Sequence, residues 1–154
     1  MSTLVPTQEE TMLADAARGF LDEAAPVSHL RALRDAGKTH DPGLWRDMAQ
    51  MGWAGVLVPE DQGGSDMGHA AAGVLARELG KTLVTSPFLS NAVIAATALR
   101  KAGSDRLSAI AAGELTYALA VDESAKFAPE SVEMTAQKQG NGCLLYTSPS
   151  PRDS

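Results

Sequence analysis

The amino-terminal part of the chain carries apolar residues at the spacing of an amphipathic helix. Thr7 and Glu10 stand in the order of a capping box, in which side chain and backbone at a helix start satisfy each other's hydrogen bonds. Behind them, apolar residues recur three and four positions apart as far as Leu21. The pattern predicts a first helix that starts after Thr7 and runs through Glu23.

Proline and glycine mark two further helices. Residues 26–36 carry three apolar positions at a spacing of three, which predicts a short helix ending near Gly37. Asp41 is a cap residue, and Pro42 follows it at the first helical position, where proline is well tolerated. This second start predicts a helix that ends at Gly52.

The next stretch breaks the helical spacing. The short apolar run at 53–58 is followed by Pro59, which cannot continue a helix, so we expect a buried extended connection. Residues 59–64 end in a glycine pair and have the composition of a turn. Asp66 is then expected to cap a helix that ends at Gly80.

A cap residue followed by proline recurs at Ser86 and Pro87. Residues 88–99 behind them are apolar on nearly all sides, which predicts a helix packed on more than one side at the centre of the core. Gly103 is expected to end this helix, and Gly113 to end the short helix that follows.

The period changes after Gly113. Residues 115–121 alternate large and small side chains, and residues 132–137 alternate apolar and polar ones, as two strands would. Asn141 and Gly142 then form the strongest short-range hairpin signal. The fold class predicted is mainly α, followed by an incomplete β hairpin or sheet.

The returning strand of this hairpin is cut short. Residues 147–154 contain two prolines and no large apolar side chain, and a two-stranded ribbon is marginal by itself. We therefore expect an incomplete chain whose sheet breaks near Gly142. Residues 143–154 also resemble a translated sequencing adapter, so we treat them as a non-native tail outside fold reasoning.

Composition narrows the class of function. The 154 residues carry a formal charge of −6, and no cluster of Lys and Arg is dense enough to follow a phosphate backbone. A helix-turn-helix rhythm at 71–87 is an alternative. Its second helix is too apolar to read DNA, however, so no nucleic-acid partner is expected.

The remaining composition points to a reducing compartment. No signal peptide and no apolar run of about 20 residues is visible, so no membrane span is expected and we place the protein in the cytoplasm. Cys143 is the single cysteine. His29, His40 and His69 lack the spacing of metal ligands, so no metal site is predicted.

Several segments together resemble the amino-terminal half of an acyl-CoA dehydrogenase. The sequence LWRDMAQMGW at 44–53, followed by VPEDQGG at 58–64, is similar to the family's helix, Gly-aromatic and Pro-Glu-x-x-Gly-Gly segment. ARELG at 76–80, AGSD at 102–105 and AGEL at 112–115 follow the family's order. The resemblance covers most of residues 7–142. It implies a helical domain at 1–114 and the start of a central β domain at 115–142.

The resemblance also implies the chemistry of the parent enzyme. Members of this family use FAD to oxidise an acyl-CoA thioester to the 2,3-enoyl-CoA and pass the electrons to an electron-transferring flavoprotein. They are oligomers, and the intact parent would be a homo- or hetero-oligomer. The family's catalytic base lies in a segment beyond this chain, so no catalytic residue is assigned and the piece itself is expected to be inactive.

Two groups of site residues follow from the same resemblance. Those aligned with the helix that lines the acyl-chain channel are Ser86, Pro87, Ser90 and Ile94. Those aligned with the strand that touches the flavin are Leu119, Val121 and Asp122. The first group would equally cap and pack a core helix. Glu60 and Glu78 are interpreted as a turn carboxylate and a residue on a solvated helix face.

The flavin strand departs from the family pattern. Asp122 stands where threonine is usual, and residues 124–129 replace a glycine-rich turn. A carboxylate there would oppose negative charge on a reduced flavin. The departure motivates two alternatives to a complete flavin enzyme: a non-catalytic partner subunit of a two-subunit acyl-CoA dehydrogenase, or a structural helical domain without a cofactor.

Overall fold

The computed structural model describes residues 6–119, 134–140 and 142–146. The chain divides into two compact units, Met1–Ala118 and Leu119–Ser154. The first contains all the described helices, and the second contains the described strands. The predicted fold class, mainly α with a short β hairpin, is confirmed.

The helical unit is built from α-helices joined by short turns. Among its described residues the α-helices are α1 (Gln8–Ala24), α2 (Val27–Asp35), α3 (Pro42–Gln50), α4 (Gly68–Lys81), α5 (Ala96–Lys101) and α6 (Leu107–Ala111). A π-helix, Phe88–Ala95, leads directly into α5. Two single turns of 3₁₀-helix, Trp53–Gly55 and Glu60–Gln62, lie between α3 and α4.

Two helix starts confirm the cap signals in the sequence. The Thr7 hydroxyl accepts from the Glu10 N–H at 3.1 Å, and the Glu10 carboxylate accepts from the Thr7 N–H at 2.9 Å. The Asp41 carboxylate accepts from the Gly43 N–H at 2.8 Å. Gly52 ends the α3 region with φ +83°, a left-handed conformation that glycine adopts without strain.

The core lies between α1, α3, α4 and the π-helix. Its largest fully covered side chains include Leu21, Met48 and Leu75, each at most 1% exposed. The Phe20 and Trp53 rings meet edge to face, with their centroids 5.5 Å apart. Such pairs add to the stabilisation that burial alone provides.

Residues 53–58 are buried as predicted, but the expected extended conformation is wrong. The segment coils, because the Gly55 N–H donates to the Gly52 carbonyl at 3.2 Å and the Val58 N–H donates to the Gly55 carbonyl at 3.0 Å. A buried backbone needs partners, and no neighbouring strand is described beside this segment. Local turns therefore satisfy part of it, and the carbonyls of Gly55, Val56 and Val58 accept from the backbone N–H groups of residues 65–67.

The turn at 59–64 closes tightly on this coil. A Cβ added at Gly64 would stand 2.0 Å from the Val58 carbonyl oxygen. Because backbone atoms cannot rotate away, only glycine fits at this position. Gly63 takes φ +82° immediately before it. The predicted turn is confirmed, and its glycine pair serves two different needs.

The expected cap at Asp66 is wrong. Met67 precedes α4 without a side-chain cap, and α4 continues through Gly80 to Lys81. The Asp66 carboxylate instead accepts from Arg100 at 2.6 and 3.3 Å, and Arg100 also donates to the Leu57 carbonyl at 3.1 Å. The hydrogen bonds to Asp66 raise the pKa of the Arg100 guanidinium.

Glu78 does not lie on a solvated helix face. Its side chain is 1% exposed and receives Lys81 Nζ at 2.8 and 2.9 Å and Arg77 Nε at 3.2 Å. Arg18 Nε on α1 lies 3.5 Å away. The hydrogen bond from Lys81 is the main cause that lowers the pKa of Glu78. Glu78 is thus a buried carboxylate at the centre of an ion cluster, where α1 and α4 pack against each other.

The strand predicted at 115–121 is not formed in its described part. Residues 115–119 have no strand partner, and Val121 lies outside the described residues. The predicted hairpin is confirmed: β1 (Thr135–Gln139) pairs antiparallel with β2 (Gly142–Tyr146), with Gln139 opposite Gly142. The returning strand thus pairs as far as Tyr146, further than the sequence led us to expect.

The described residues contain neither a helix suited to a membrane nor a cluster of metal ligands. No described helix has the length and apolar character needed to cross a bilayer. Within the same residues, no group of His, Cys, Asp and Glu side chains converges as metal ligands would.

Candidate functional site

The π-helix is the element that carries the predicted acyl-channel residues. Its Ala96 N–H donates back to the Asn91 carbonyl, five residues earlier, as π-helical geometry requires. Side chains four and five positions apart therefore share a face. Such helices are rare and occur frequently at functional sites.

The two faces of this π-helix have opposite environments. Phe88, Asn91, Ala92 and Ala95 are buried against the rest of the unit. Leu89 is 59% exposed and Ile94 is 42% exposed, with Ser90 between them also exposed. The sequence predicted a helix packed on more than one side. In the described structure its inner side is buried, and its outer side has no covering element. We call Leu89, Ser90 and Ile94 the open face.

Ser86 and Pro87 lie at the start of the same helix and are half-buried. The Ser86 hydroxyl accepts weakly from the Phe88 N–H at 3.5 Å, and the Ser90 hydroxyl donates to the Pro87 carbonyl at 3.2 Å. The structure thus places all four predicted residues on one helix and its first turn. The hydroxyls of Ser86 and Ser90 both form hydrogen bonds with backbone groups at the helix start. Ile94 is the one large apolar side chain of the four that is exposed.

Leu89 belongs to this surface and was missed. The sequence assigns it to the core because it stands in an almost continuous apolar run. Leu89 and Ile94 are five residues apart, and this spacing places them on one face only because the helix is a π-helix, which the sequence pattern did not reveal. A helix of ordinary period would have set them on different faces.

Asn91 was also missed, although it is completely buried. Its Nδ2 donates to the Leu115 carbonyl at 3.2 Å, and its Oδ1 accepts from the Tyr117 N–H at 2.8 Å. The Leu115 N–H in turn donates to the Ala109 carbonyl at 3.3 Å. We call residues 115–117 the anchored segment, because these bonds hold its backbone against the helices.

The residues predicted to contact flavin are described only in part. Leu119 is 52% exposed, so an apolar side chain stands open at the position that the resemblance assigns to the cofactor. Val121 and Asp122 lie outside the described residues. Leu119 fits a flavin ring, whose flat surface takes apolar neighbours, and it lies two residues after the anchored segment.

A surface depression of about 430 Å³ lies elsewhere on the helical unit. It is lined by Leu57, His69, Thr97, Arg100 and Lys101. None of the predicted site residues that the structure describes borders it. One of its two permanent cations, Arg100, is already occupied by Asp66 and the Leu57 carbonyl.

Comparison with known proteins places this arrangement in a family. Residues 7–111 match the family described as "Acyl-CoA dehydrogenase, N-terminal domain". The chain is 31% identical over 122 residues to acyl-CoA dehydrogenase IpdE2 of Mycobacterium tuberculosis, and 30% identical over 108 residues to IpdE2 of Mycolicibacterium smegmatis. These matches cover 77% and 70% of this chain, but 38% and 35% of the relatives.

Solved structures agree on the fold. A variant of the Tcur3481-Tcur3483 steroid ACAD matches with a TM-score of 0.77 and 30% identity, over 90% of this chain and 39% of its own. The ChsE4-ChsE5 complex of Mycobacterium tuberculosis matches with a TM-score of 0.76 and 24% identity, over 94% and 40%. The chain thus spans well under half the length of the proteins it resembles. It belongs to the acyl-CoA dehydrogenase family and contains that family's amino-terminal helical domain.

Proposed function

We propose that this chain is the amino-terminal part of a flavin-dependent enzyme that oxidises an acyl-CoA thioester to the 2,3-enoyl-CoA. The observation that carries the proposal is the open face of the π-helix, which leaves two large apolar side chains uncovered on a helix of the family's fold. In the parent, an acyl chain would cover Leu89 and Ile94 and remove their apolar surface from water.

The proposed roles separate the work of this chain from that of the rest of the parent. FAD, when bound, supplies the hydride acceptor, and the catalytic base belongs to a segment beyond this chain. Within this chain, Ile94 and Leu89 would guide the acyl chain, while Ser86, Pro87 and Ser90 shape the helix start. Leu119, Val121 and Asp122 would border the flavin. The 154-residue piece itself is expected to show no dye reduction with any acyl-CoA.

A two-subunit parent is a second form of the same proposal. Two of the similar structures are of paired proteins, ChsE4-ChsE5 and Tcur3481-Tcur3483. Asp122 in place of the usual threonine also favours a subunit whose flavin contacts differ from the family pattern. We therefore expect the intact parent to be a hetero-oligomer that works in the cytoplasm with an electron-transferring flavoprotein as acceptor.

The test compares two exposed apolar residues in the intact parent. Ile94→Ala removes apolar surface from the open face, whereas Met12→Ala makes a similar change on α1, where Met12 is 65% exposed. Both positions are exposed, so each variant should keep its stability within about 0.5 kcal/mol. Dehydrogenation would be followed by dye reduction over a series of acyl-CoA chain lengths.

The expected result is a change in chain-length preference for Ile94→Ala alone. Its kcat/KM should fall roughly tenfold for the preferred chain relative to shorter ones, the scale of a lost apolar pocket contact. Met12→Ala should match the wild type throughout. If both variants keep the wild-type preference, the open face does not line the acyl channel.

A further inference from the structure

Asn91 joins two parts of the chain that are far apart in sequence. Its amide is 0% exposed and spans 24 residues to Leu115 and 26 residues to Tyr117. The amide group is suited to this task because it presents a donor and an acceptor side by side. Aspartate would lack the donor when ionised, and leucine would lack both.

The two hydrogen bonds of the Asn91 amide hold the backbone on either side of Thr116. The Leu115 carbonyl and the Tyr117 N–H both point at the Asn91 side chain. A neighbouring strand in a parallel sheet holds a chain in the same way, with one donor and one acceptor directed at the groups that flank a residue. The Asn91 side chain therefore replaces a strand at the place where residues 115–119 have none.

Further contacts keep the anchored segment in place. The Glu114 N–H donates to the Ala109 carbonyl at 3.0 Å. Tyr117 packs against a small cluster of buried residues, namely Val58, Ala96, Leu107, Ile110 and Ala111. A buried amide without partners would be costly, so the bonds of Asn91 and the position of the segment support each other.

We propose that Asn91 is a positioning residue, whose amide fixes the point from which the chain runs to the predicted flavin contacts. The proposal rests on the proposed function. Leu119 lies two residues after Tyr117, which limits their Cα separation to about 7 Å. The same π-helix carries the open face at Ser90 and Ile94, so one amide ties the acyl-guiding helix to the backbone that leads to the flavin contacts.

The test uses the intact holoenzyme and two substitutions. Asn91→Asp keeps the shape of the side chain and, when ionised, loses the donor to the Leu115 carbonyl. A protonated aspartic acid regains that donor, and burial raises the pKa of such a group. The defect of this variant should therefore be largest at high pH and should recede as the pH falls. Thr97→Val on α5 is the control, since it removes one hydroxyl six residues further along the chain.

Three measurements are made on each protein at pH 8.5 and 5.5. Hydrogen exchange of the peptide containing Tyr117 reports the anchor, the visible flavin spectrum reports the cofactor environment, and kcat and KM with an acyl-CoA report the reaction. At pH 8.5, exchange in Asn91→Asp should rise roughly tenfold or more, as expected for a lost hydrogen bond. Its kcat should fall on the order of 10²-fold, as a misplacement of about 1 Å implies, with KM changed far less.

Several results would overturn the proposal. Unchanged exchange in Asn91→Asp would show that the amide does not hold the segment. Faster exchange with a wild-type flavin spectrum and kcat would show a purely structural bond, as would a kcat defect that is the same at both pH values relative to the wild type. A wild-type parent without flavin would contradict both the proposed function and the positioning role. Hydrogen exchange would still show whether Asn91 holds the anchored segment. Should Asn91→Asp fail to fold, Asn91→Ser, which shortens the group, takes its place with the same expected exchange and kcat changes.

Discussion

Replacing Glu78 by glutamine should destabilise the helical unit by about 2 kcal/mol. The carboxylate is 1% exposed and collects Lys81, Arg77 and Arg18 within 3.5 Å. Glutamine keeps the size and one carbonyl oxygen, but it loses the negative charge and directs an NH₂ group towards cations.

The magnitude follows from how exposed the partners are. Hydrogen bonds to charged groups contribute about 1.5–3 kcal/mol each, and breaking a fully buried pair costs about 3–5 kcal/mol. Here the cations are about half exposed, at 48% for Arg18, 54% for Arg77 and 50% for Lys81. They can turn to water when the carboxylate is gone, which puts the cost at the low end.

The pH dependence gives an independent test of the same interaction. The native pKa of Glu78 lies below its ordinary value of 4.5, chiefly because of the hydrogen bond from Lys81. A depressed native pKa means that the stabilisation is full above the unfolded pKa and declines as the pH falls through the native one. The difference between wild type and Glu78→Gln should be complete at pH 7 and shrink below about pH 4.5.

The assay is urea unfolding of the full chain, followed by far-UV circular dichroism at pH 7 and at several lower pH values. Glu114→Gln is the matched control, because it makes the same chemical change at an exposed position. It should shift the free energy of unfolding by less than about 0.5 kcal/mol. Equal stability of Glu78→Gln and wild type at pH 7, or a difference that grows on acidification, would refute the reasoning.

Three further substitutions test the helical unit by urea unfolding, at the turn before α4, within α4 and on α5. Gly64→Ala should destabilise the unit by on the order of 3 kcal/mol, because the new Cβ would meet the Val58 carbonyl; wild-type stability would contradict the close approach. Gly73→Ala, at an open helical position with no atom within 4 Å, should stabilise α4 by about 0.5–1 kcal/mol, and a loss would show hidden crowding. Arg100→Met should lower the urea midpoint, because it removes the donor to the Leu57 carbonyl together with the exposed pair to Asp66, and an unchanged midpoint would contradict this.

Local signals in the sequence predicted most of the helical architecture. The capping box at Thr7 and the Asp41-Pro42 start are confirmed, because a cap depends on atoms within three residues of it. The turn at 59–64 and the hairpin before Gly142 are confirmed for the same reason. Each of these features is fixed by residues that are neighbours in the chain.

Features that depend on distant partners escaped the sequence. Asp66 has the chemistry of a cap, but Arg100, 34 residues later, takes its carboxylate. Glu78 has the pattern of a solvated face, yet packing against α1 buries it. Asn91 follows Ser90 in an otherwise apolar run, and the sequence does not show that its amide bonds to the backbone of Leu115 and Tyr117.

The candidate site shows the same division. The resemblance selected Ser86, Pro87, Ser90 and Ile94 together, and the structure places them on one helix and its first turn. It could not show that Ile94 and Leu89 remain open, because exposure depends on which segments cover a surface. It also missed the π-helical geometry, since side-chain spacing alone does not reveal a change in the hydrogen-bond period.

The most direct test of the proposed function is an anaerobic titration of the intact parent with acyl-CoA. The visible spectrum of the purified protein should show bound oxidised flavin, and addition of a suitable acyl-CoA should bleach it as the 2,3-enoyl-CoA forms. A parent that binds flavin but is bleached by no member of a panel of linear, branched and ring-bearing acyl-CoAs would contradict the proposed reaction. A parent that contains no flavin would contradict it as well.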